Sequence, residues 1–466
     1  MRIRDRAIAL VAAACMATAL SADAGVIPTP VRAAPAVAYR AVPPMGWNSW
    51  NSGISLSDRN IRATIDAMVA SGMRDAGYRY VNLDAGWAAP TRDTEGNLRA
   101  DPGRFPGGIA ALAQYAHDRG MYLGLYSSPY NQVCGQTTRN ASLGHEVADA
   151  RTFAAWGVDF LKYDWCRDDA DLGDQVRAFT AMRDALRASG RHIIYSINPH
   201  SSANPAADAG YDWSAVADMT RNNGDLIPLW QNTFFTVQTY GYSTSSYLGI
   251  IDQLHAAAPL AVRSRPGYWN DPDMLVVGVP IARFFGVQLS NVPDFALPDK
   301  LTPDQSRQLA SGVPLTPEAI AQLGDLQEGL TPDEQRAHFS LWAMLAAPLL
   351  AGNDVRTMSE QTRALLTNTE VIAIDQDALV AQATPLPGED RVLTKPLADG
   401  ALAVALINRG GITTTVETTL AALGLQSGQC YQVRDLWAHT GGTTTDRVTG
   451  HDIPAHGVAL LKLTRC

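Results

Sequence analysis

The sequence lacks the features that mark several classes of protein. Its 37 Lys and Arg residues are outnumbered by 46 Asp and Glu residues, a formal net charge of -9, so the composition predicts no basic face for nucleic acid. It has no C-x-x-C spacing and no His pair at helical metal-ligand spacing, which disfavours a zinc site. No G-x-G-x-x-G or P-loop pattern follows a first strand, which disfavours a doubly wound nucleotide-binding sheet. We therefore expect no metal, no cofactor and no nucleic acid partner.

Long apolar runs are missing outside the N-terminus. There, arginines within the first six residues precede an alanine-rich run to about Leu20, and residues 22–24 supply an A-x-A cleavage pattern. This pattern predicts a signal peptide at residues 1–24, a linker at residues 25–39 and a protein secreted to the extracellular space or periplasm. Lipid attachment at Cys15 is the alternative. No other stretch reaches the roughly 20 apolar residues of a membrane helix, so no membrane partner is expected.

Residues 40–382 are predicted to form a catalytic (β/α)8 barrel. Short β-branched or aromatic runs alternate with longer amphipathic segments, such as residues 109–119 and 175–188, as repeated βα units require. The predicted strands end near residues 46–48, 80–84, 123–126, 160–164, 194–196, 219–221, 268–271 and 349–354. Nearly every strand finishes in a polar or aromatic residue, and active sites of such barrels form at the C-terminal ends of the strands.

The C-terminal region, residues 383–466, has a different pattern. Helical periodicity is lost there, and turn residues separate short strand-like runs. These runs lie at residues 391–393, 401–406, 413–416 and 458–461. The pattern predicts a second domain that is an antiparallel β-sandwich.

An insertion is predicted at about residues 278–329, after the seventh strand. Leu-Thr-Pro occurs there at Leu301 and Leu315 and recurs at Leu330, each time with an acidic residue close behind. Thr as N-cap, Pro at the first helical position and an acid in the first turn are typical of helix starts. Short helices at this place could wall the pocket, mediate homo-oligomerisation or form a solvent-exposed decoration.

Four cysteines remain once the predicted signal peptide is removed, and an even number in an exported chain favours disulfides. We predict the pairs Cys134–Cys166 and Cys430–Cys466, because each pair falls within one predicted domain. Four free or buried thiols are the alternative.

Two carboxyl groups on the strand-end face of a barrel can supply the acid and the nucleophile that cleavage of a glycosidic bond needs, so acidic residues at predicted strand ends are the candidates for the site. These residues are Asp84, Asp164, Asp225, Asp271, Asp273 and Asp354. A strand-end Asp often only caps the following helix, so position alone assigns no role.

Asp164 and Asp225 stand out by their neighbours. Lys162 and Asp164 lie two residues apart on one predicted strand, so their side chains share a face. A cation there is expected to lower the pKa of Asp164 and keep it ionised, as a nucleophile requires. Arg221 and Asp225 belong to a strand end and the following loop, where the carboxyl group could approach a leaving group.

Several segments together resemble the signature motifs of glycoside hydrolase family 27, the α-galactosidase or melibiase group. They are residues 44–50, 101–108, 156–164, 269–275, 346–350, 353–354 and 371–377. The match covers roughly residues 40 to 380 apart from the insertion. It implies a (β/α)8 barrel followed by an antiparallel β-domain, in agreement with the pattern of strands.

The resemblance also implies roles for individual residues. Asp164 takes the nucleophile position and Asp225 the acid/base position, with net retention of anomeric configuration. The implied sugar contacts are Trp47, Asp84, Tyr126, Lys162, Arg221 and Asp273, and Asn198 stands where a Glu often meets the 2-hydroxyl. Cys134 and Cys166 fall where the family carries a disulfide beside the nucleophile.

Three departures from the family pattern bear on the substrate. Ala85 occupies the place of a second Asp that holds the galactose 6-hydroxyl, Asn198 replaces a Glu, and the insertion could reshape outer subsites. The carbohydrate partner expected first is a terminal α-D-galactoside. β-L-Arabinopyranosidase, α-N-acetylgalactosaminidase and isomaltodextranase activities remain alternatives within the family. A catalytically inactive sugar-binding protein and a metal-dependent hydrolase are alternatives of other classes.

Overall fold

A computed structural model gives the structure of most of the chain. The described residues are 41–134, 138–167, 171–200, 211–231, 236–239, 243–246, 248–280, 295–296 and 329–466. The predicted signal peptide and linker, and most of the predicted insertion, lie outside these residues. No helix among the described residues is long and apolar enough to cross a membrane.

Eight parallel strands form a curled sheet, one at each predicted strand position. They are β1 Met45–Asn48, β2 Tyr80–Asn82, β3 Tyr122–Ser127, β4 Phe160–Asp164, β5 Ile194–Asn198, β6 Met219–Arg221, β7 Trp269–Asp271 and β8 Leu349–Ala351. β8 lies beside β1, and β2 to β7 follow in chain order. Leu275, just past β7, pairs in parallel with Ala351 of β8. This bridge joins the two ends of the sheet order, β7 and β8. The predicted barrel is confirmed.

Helices follow the strands, and five of the nine described helices start at a side-chain cap. Their bounds are α1 Asp58–Ala70, α2 Met73–Ala76, α3 Gly108–His117, α4 Glu146–Trp156, α5 Leu172–Ala188, α6 Ile250–Ala257, α7 Pro332–Leu345, α8 Glu360–Leu366 and α9 Thr369–Asp375. Short 3-10 turns lie at Trp50–Ser52, Trp213–Ala215 and Ala258–Arg263. Ser57 and Asp171 accept hydrogen bonds from the first turns of α1 and α5, which satisfies amide groups that have no partner within the helix.

Helix α7 begins at the third Leu-Thr-Pro sequence, as predicted. Thr331 is its N-cap, Pro332 is its first residue, and Thr331 and Glu334 form a reciprocal capping box. The helix has 14 residues, so it is longer than the short helices expected of this pattern. The starts predicted after Leu301 and Leu315 lie outside the described residues. A small antiparallel sheet, unanticipated from the sequence, is formed by Thr236–Thr239, Ser243–Ser246 and Phe295–Ala296.

The C-terminal region is built of antiparallel strands, as predicted. They are β9 Thr384–Leu386, β10 Glu389–Pro396, β11 Leu402–Ile407, β12 Thr414–Thr419, β13 Tyr431–Asp435, β14 Gly441–Thr444, β15 Arg447–Ile453 and β16 Val458–Arg465. Six strands form one sheet in the order β9-β10-β11-β16-β13-β14, and β12 pairs with β15. Buried residues such as Val404, Val416 and Val448 form a shared core between the two layers. The β-sandwich is therefore confirmed, although β9 and β13 to β15 were not among the predicted strands.

Helix α7 packs against both the barrel core and the C-terminal sheet. It contacts β11 and β16, and Lys395 of β10 donates a 2.9 Å hydrogen bond to the carbonyl oxygen of Ala343. The indole nitrogen of Trp437 donates to Ser340 Oγ at 2.9 Å. Since most of its side chains are buried, α7 is held from two sides.

The structure contains two disulfides, Cys134–Cys166 and Cys430–Cys466. These are the pairs predicted from the sequence. The first links the loop after β3 to the residues directly after β4, next to Asp164. The second links the start of β13 to the residue after β16, so each disulfide stays within one region of the fold.

Candidate active site

The predicted site residues lie at or just beyond the C-terminal ends of the barrel strands. Lys162 and Asp164 are on β4, Arg221 ends β6, and Asp225 follows four residues later. The remaining predicted contacts come from the neighbouring strands: Trp47 on β1, Asp84 after β2, Tyr126 on β3, Asn198 on β5 and Asp273 after β7. Because parallel strand ends share one face of the barrel, residues far apart in sequence are brought together.

Lys162 joins two carboxylates. Its Nζ atom donates to Asp84 Oδ2 at 2.7 Å and lies 3.4 Å from Asp164 Oδ2. The same Nζ lies 5.0 Å from the ring centroid of Tyr126. Burial lowers the pKa of Lys162, but Asp164 and Asp84 raise it by more. The ammonium group therefore stays charged between the two carboxylates.

Only one carboxylate oxygen of Asp164, Oδ2, lies beside a cation, that of Lys162. The Asp164 side chain is 8% exposed, and its Oδ1 atom is buried without a hydrogen-bond partner among the described residues. Burial raises the pKa of Asp164 to about 6, against the opposing effect of Lys162. Lys162 does lower the pKa, as expected from the sequence, but the expected net direction is wrong because desolvation of a buried carboxylate outweighs the cation.

Arg221 forms a second cluster of charges. Its Nη2 atom lies 2.9 Å from Asp225 Oδ1 and 3.0 Å from Asp273 Oδ2. Burial lowers the pKa of Arg221, but Asp273 and Asp225 raise it by more. The Asp225 side chain is 46% exposed, whereas Asp273 is buried. Asp225 is thus a carboxylate anchored at one oxygen and open to solvent.

The two clusters interact electrostatically. After burial and Lys162, the charges of Asp84, Arg221 and Asp225 also act on the pKa of Asp164. The site therefore presents two carboxylates in one field, one buried and one exposed, each beside a fixed cation. In such a pair, one carboxylate can attack a carbon atom while the other exchanges a proton with the leaving group.

Trp47 and Asn198 occupy supporting positions. Trp47 is 0% exposed, and its indole nitrogen donates to the carbonyl oxygen of Asn353 at 2.8 Å. Trp47 therefore lies beneath the surface of the site in this conformation, and its direct sugar contact stays a prediction. Asn198 pairs in register with Asp164 across β4 and β5, and its Oδ1 accepts from the amide of His200.

Some residues around the site were not assigned a role from the sequence. Asn48 donates to Asp84 Oδ2 at 3.3 Å, and Ser49 Oγ accepts from the amide of Asp84 at 2.9 Å. Both follow the polar strand-end pattern that selected the other candidates, so the signal was available. Asp354, by contrast, lies three residues beyond the end of β8 and forms an ion pair with Arg356. Within the described ranges, no three His, Cys, Asp or Glu side chains are grouped so that they could share a metal ion.

Comparison with known proteins finds matches to two protein-family models, which together cover most of the chain. Residues 42–288 and 317–377 match the Melibiase_2 family, described as alpha galactosidase A. Residues 387–463 match Melibiase_C, described as the alpha galactosidase C-terminal beta sandwich domain. The two matches cover the barrel and the C-terminal strands, respectively.

Individual relatives agree with the family match. Alpha-galactosidase A of Cellvibrio japonicus is 35% identical over 438 residues, which cover 91% of this chain and 92% of the relative. The crystal structure of alpha-galactosidase I from Mortierella vinacea is similar with a TM-score of 0.74 and 28% identity, over 92% of this chain and 98% of that one. A Saccharomyces cerevisiae α-galactosidase structure with raffinose has a TM-score of 0.71 and 25% identity, over 91% and 98%.

Proposed function

We propose that this chain, which belongs to the melibiase family of glycoside hydrolases, removes terminal α-D-galactosyl residues from oligo- or polysaccharides with retention of anomeric configuration. The observation that carries the proposal is the arrangement of Asp164. One of its oxygens lies beside the Lys162 cation, and the other is buried without a partner among the described residues. The exposed carboxylate of Asp225 acts on it electrostatically.

In the proposed mechanism the two carboxylates act in sequence. Asp164 Oδ1 attacks the anomeric carbon while Asp225 gives its proton to the glycosidic oxygen, and the bond to the leaving group breaks. The product is an ester between the sugar and Asp164. Asp225 then takes a proton from a water molecule, which attacks the anomeric carbon and breaks the ester. Lys162 and Arg221 hold the two carboxylates in place and can donate to sugar hydroxyl groups.

The proposal predicts an acidic limit near pH 6. Asp164 must be ionised to attack, and burial raises its pKa to about 6, so kcat/KM for an aryl galactoside should fall as the pH drops through that value. Lys162→Met removes a cation that lowers this pKa, so the limit should move to higher pH. Profiles of kcat/KM against pH would measure both.

The control for that experiment is Lys462→Met. Lys462 pairs with Asp399 on the surface of the C-terminal sheet, far along the chain from the site, and its loss should leave the profile unchanged. A limit that stays in place or moves to lower pH in Lys162→Met would contradict the proposed state of Asp164.

A second specificity is favoured by the surroundings of Ala85. Its methyl group packs against an apolar cluster of Tyr126, Val133 and Ala141, next to Asp84. An apolar wall offers no acceptor for the 6-hydroxyl of galactose, whereas β-L-arabinopyranose is galactose without its hydroxymethyl group. β-L-Arabinopyranosidase is therefore the second candidate activity.

A panel of nitrophenyl glycosides would test the substrate. It should contain the α-D-galactoside, the β-L-arabinopyranoside, the α-N-acetylgalactosaminide and an isomaltoside, since each represents an alternative within the family. We expect the highest kcat/KM with the α-galactoside. Preference for another glycone would replace the proposed substrate, and no hydrolysis of any glycoside would favour an inactive sugar-binding protein.

Ala85→Asp is expected to shift the panel towards galactose. A charge-assisted hydrogen bond contributes about 1.5–3 kcal/mol, so the ratio of kcat/KM for galactoside over arabinopyranoside should rise at least about tenfold. Ala85→Leu is the control, because it changes the volume without adding an acceptor and should not raise the ratio. An unchanged ratio in Ala85→Asp would show that position 85 does not face the hydroxymethyl group.

We also propose that the protein is secreted. The predicted signal peptide lies outside the described residues, and the support comes from two disulfides, Cys134–Cys166 and Cys430–Cys466. Disulfides persist in oxidising compartments and are rare in the cytosol. Activity in the culture medium or periplasmic fraction, lost when residues 1–24 are deleted, would test this.

A further inference from the structure

Asp273 has an unusual backbone conformation that its surroundings enforce. Its φ is 86°, in the left-handed region that residues other than glycine rarely adopt. Its amide donates to Asp271 Oδ1 at 2.9 Å, and its carbonyl oxygen accepts from Trp342 Nε1 at 2.8 Å. Its Oδ1 atom accepts from the amide of Met274 at 2.7 Å. Strained residues of this kind persist where neighbours over-determine them, and they cluster at functional sites.

The carboxylate of Asp273 locates Asp225 in two ways. Asp273 Oδ2 accepts from the amide of Leu226, the residue after Asp225, at 2.9 Å. The same oxygen lies 3.0 Å from Arg221 Nη2, which in turn donates to Asp225 Oδ1 at 2.9 Å. One oxygen atom therefore fixes both the backbone beside Asp225 and the cation that holds its side chain.

Helix α7 holds the segment of residues 273–278 along one of its faces. Three side chains at helical spacing on α7 form hydrogen bonds with this segment. Trp342 Nε1 donates to the carbonyl oxygen of Asp273. His338 Nε2 accepts from the amide of Val276 at 3.1 Å, and Gln335 Oε1 accepts from the amide of Gly278 at 3.1 Å. Burial lowers the pKa of His338 to about 3, so the ring is neutral and its Nε2 can accept. Of the three, Trp342 is the one that bonds to Asp273 itself.

We propose that Trp342 is a positioning residue for the acid/base Asp225, acting through the carbonyl group and the carboxylate of Asp273. The inference rests on the proposed role of Asp225. Trp342 is 0% exposed, so its contribution to catalysis comes from the placement of Asp273. Loss of its N–H bond leaves the carbonyl oxygen of Asp273 without this donor and frees the strained peptide to rotate. Asp273 Oδ2 then moves relative to Leu226 and Arg221, and Asp225 moves with them.

The test compares two galactosides that differ only in the leaving group. One carries a poor leaving group that needs a proton from the general acid, and the other an activated dinitrophenyl group that departs almost unaided. Because both carry the same sugar, changes in sugar binding cancel in the ratio of their kcat/KM values. In Trp342→Phe we expect kcat/KM to fall about tenfold for the poor leaving group and less than about twofold for the activated one, since proton transfer depends steeply on placement.

Two further variants separate positioning from stability and from the proposed function. Gln335→Met breaks the bond at the far end of the segment, at Gly278, and should leave the ratio unchanged even if the Tm falls. Asp225→Ala provides the full loss of proton transfer as a reference. If Asp225→Ala shows no dependence on the leaving group, the proposed function fails. Suppose that the loss in Asp225→Ala depends on the leaving group. If Trp342→Phe then lowers kcat/KM equally for both galactosides, or for neither, the positioning role is overturned.

A second replacement covers the case in which Trp342→Phe does not fold. Site-specific incorporation of 3-benzothienylalanine at position 342 keeps the bicyclic shape and replaces the N–H group by sulfur. The same selective fall for the poor leaving group supports the inference, and an unchanged ratio overturns it.

Discussion

Asp164→Asn is expected to lower kcat/KM for an aryl α-galactoside by at least about a thousandfold, because removing a nucleophile abolishes the covalent route. The amide keeps the size of the carboxylate and can still accept a hydrogen bond. It cannot form the ester with the anomeric carbon. The measurement is steady-state hydrolysis with an activated substrate, so that the loss reflects the nucleophile and is independent of leaving-group protonation.

The control for this variant is another aspartate at a strand end. Asp354 lies three residues beyond the end of β8, whereas Asp164 is the last residue of β4, and Asp354 pairs with Arg356 outside the two charge clusters. Asp354→Asn should therefore keep activity within a few-fold of the wild type. A large loss in both variants would indicate damage to the barrel and would leave Asp164 without a special role.

The stability of Asp164→Asn should not fall at pH 7. The pKa of Asp164, about 6 in the folded protein, lies above its ordinary value of 3.8. A carboxyl group with a raised folded pKa contributes less stability once it ionises, so its charge weakens the fold above about pH 6. Lys162 retains Asp84 as a partner at 2.7 Å. Thermal unfolding of the two proteins at pH 7 would check that the Tm is kept.

Asp225→Ala is expected to show a loss that depends on the leaving group. A general acid contributes about 10²–10⁴-fold, so kcat/KM for a galactoside with a poor leaving group should fall within that range. The fall should be much smaller with a dinitrophenyl leaving group, which needs little protonation. The measurement is a series of aryl galactosides of increasing leaving-group acidity.

Azide provides the matching test of the second step. It needs no general base, so it can attack the sugar–Asp164 ester in Asp225→Ala where water is slow, and the product is an α-galactosyl azide. We expect azide to raise turnover of the activated substrate in this variant and to leave Asp164→Asn inactive. Equal losses across the leaving-group series, with no response to azide, would remove Asp225 from the acid/base role.

Much of the barrel could be predicted because the information is local. Nearly every barrel strand is a short, mostly apolar run that ends in a polar residue, such as Asn48, Asp164 or Arg221. Parallel strand ends must share one face of a barrel, so the sequence alone brings these residues to one site. The disulfides followed from the grouping of cysteines within predicted domains.

The network behind Asp273 could not be predicted because it joins distant parts of the chain. Trp342 is 69 residues from Asp273, and the contact depends on how α7 lies against the end of β7. Trp342 and His338 also sit on a helix that is buried on most sides. In the sequence they look like ordinary core residues, with no polar pattern to set them apart.

The direction of the pKa shift of a buried group also could not be predicted from the sequence. The spacing of Lys162 and Asp164 predicts their proximity, and they are 3.4 Å apart. Spacing does not give the depth of burial, which decides the direction in which the pKa of Asp164 moves. In the same way, Trp47 lies at the expected strand end but below the accessible surface.

The most direct test of the account is to find which residue carries the sugar during turnover. An activated fluorogalactoside that slows hydrolysis of the ester should label the protein, and mass spectrometry of the peptides should locate the label. We expect one fluorogalactosyl adduct, on the peptide that contains Asp164, and none in Asp164→Asn. An adduct on another carboxylate, or turnover of the reagent without any covalent adduct, would contradict it.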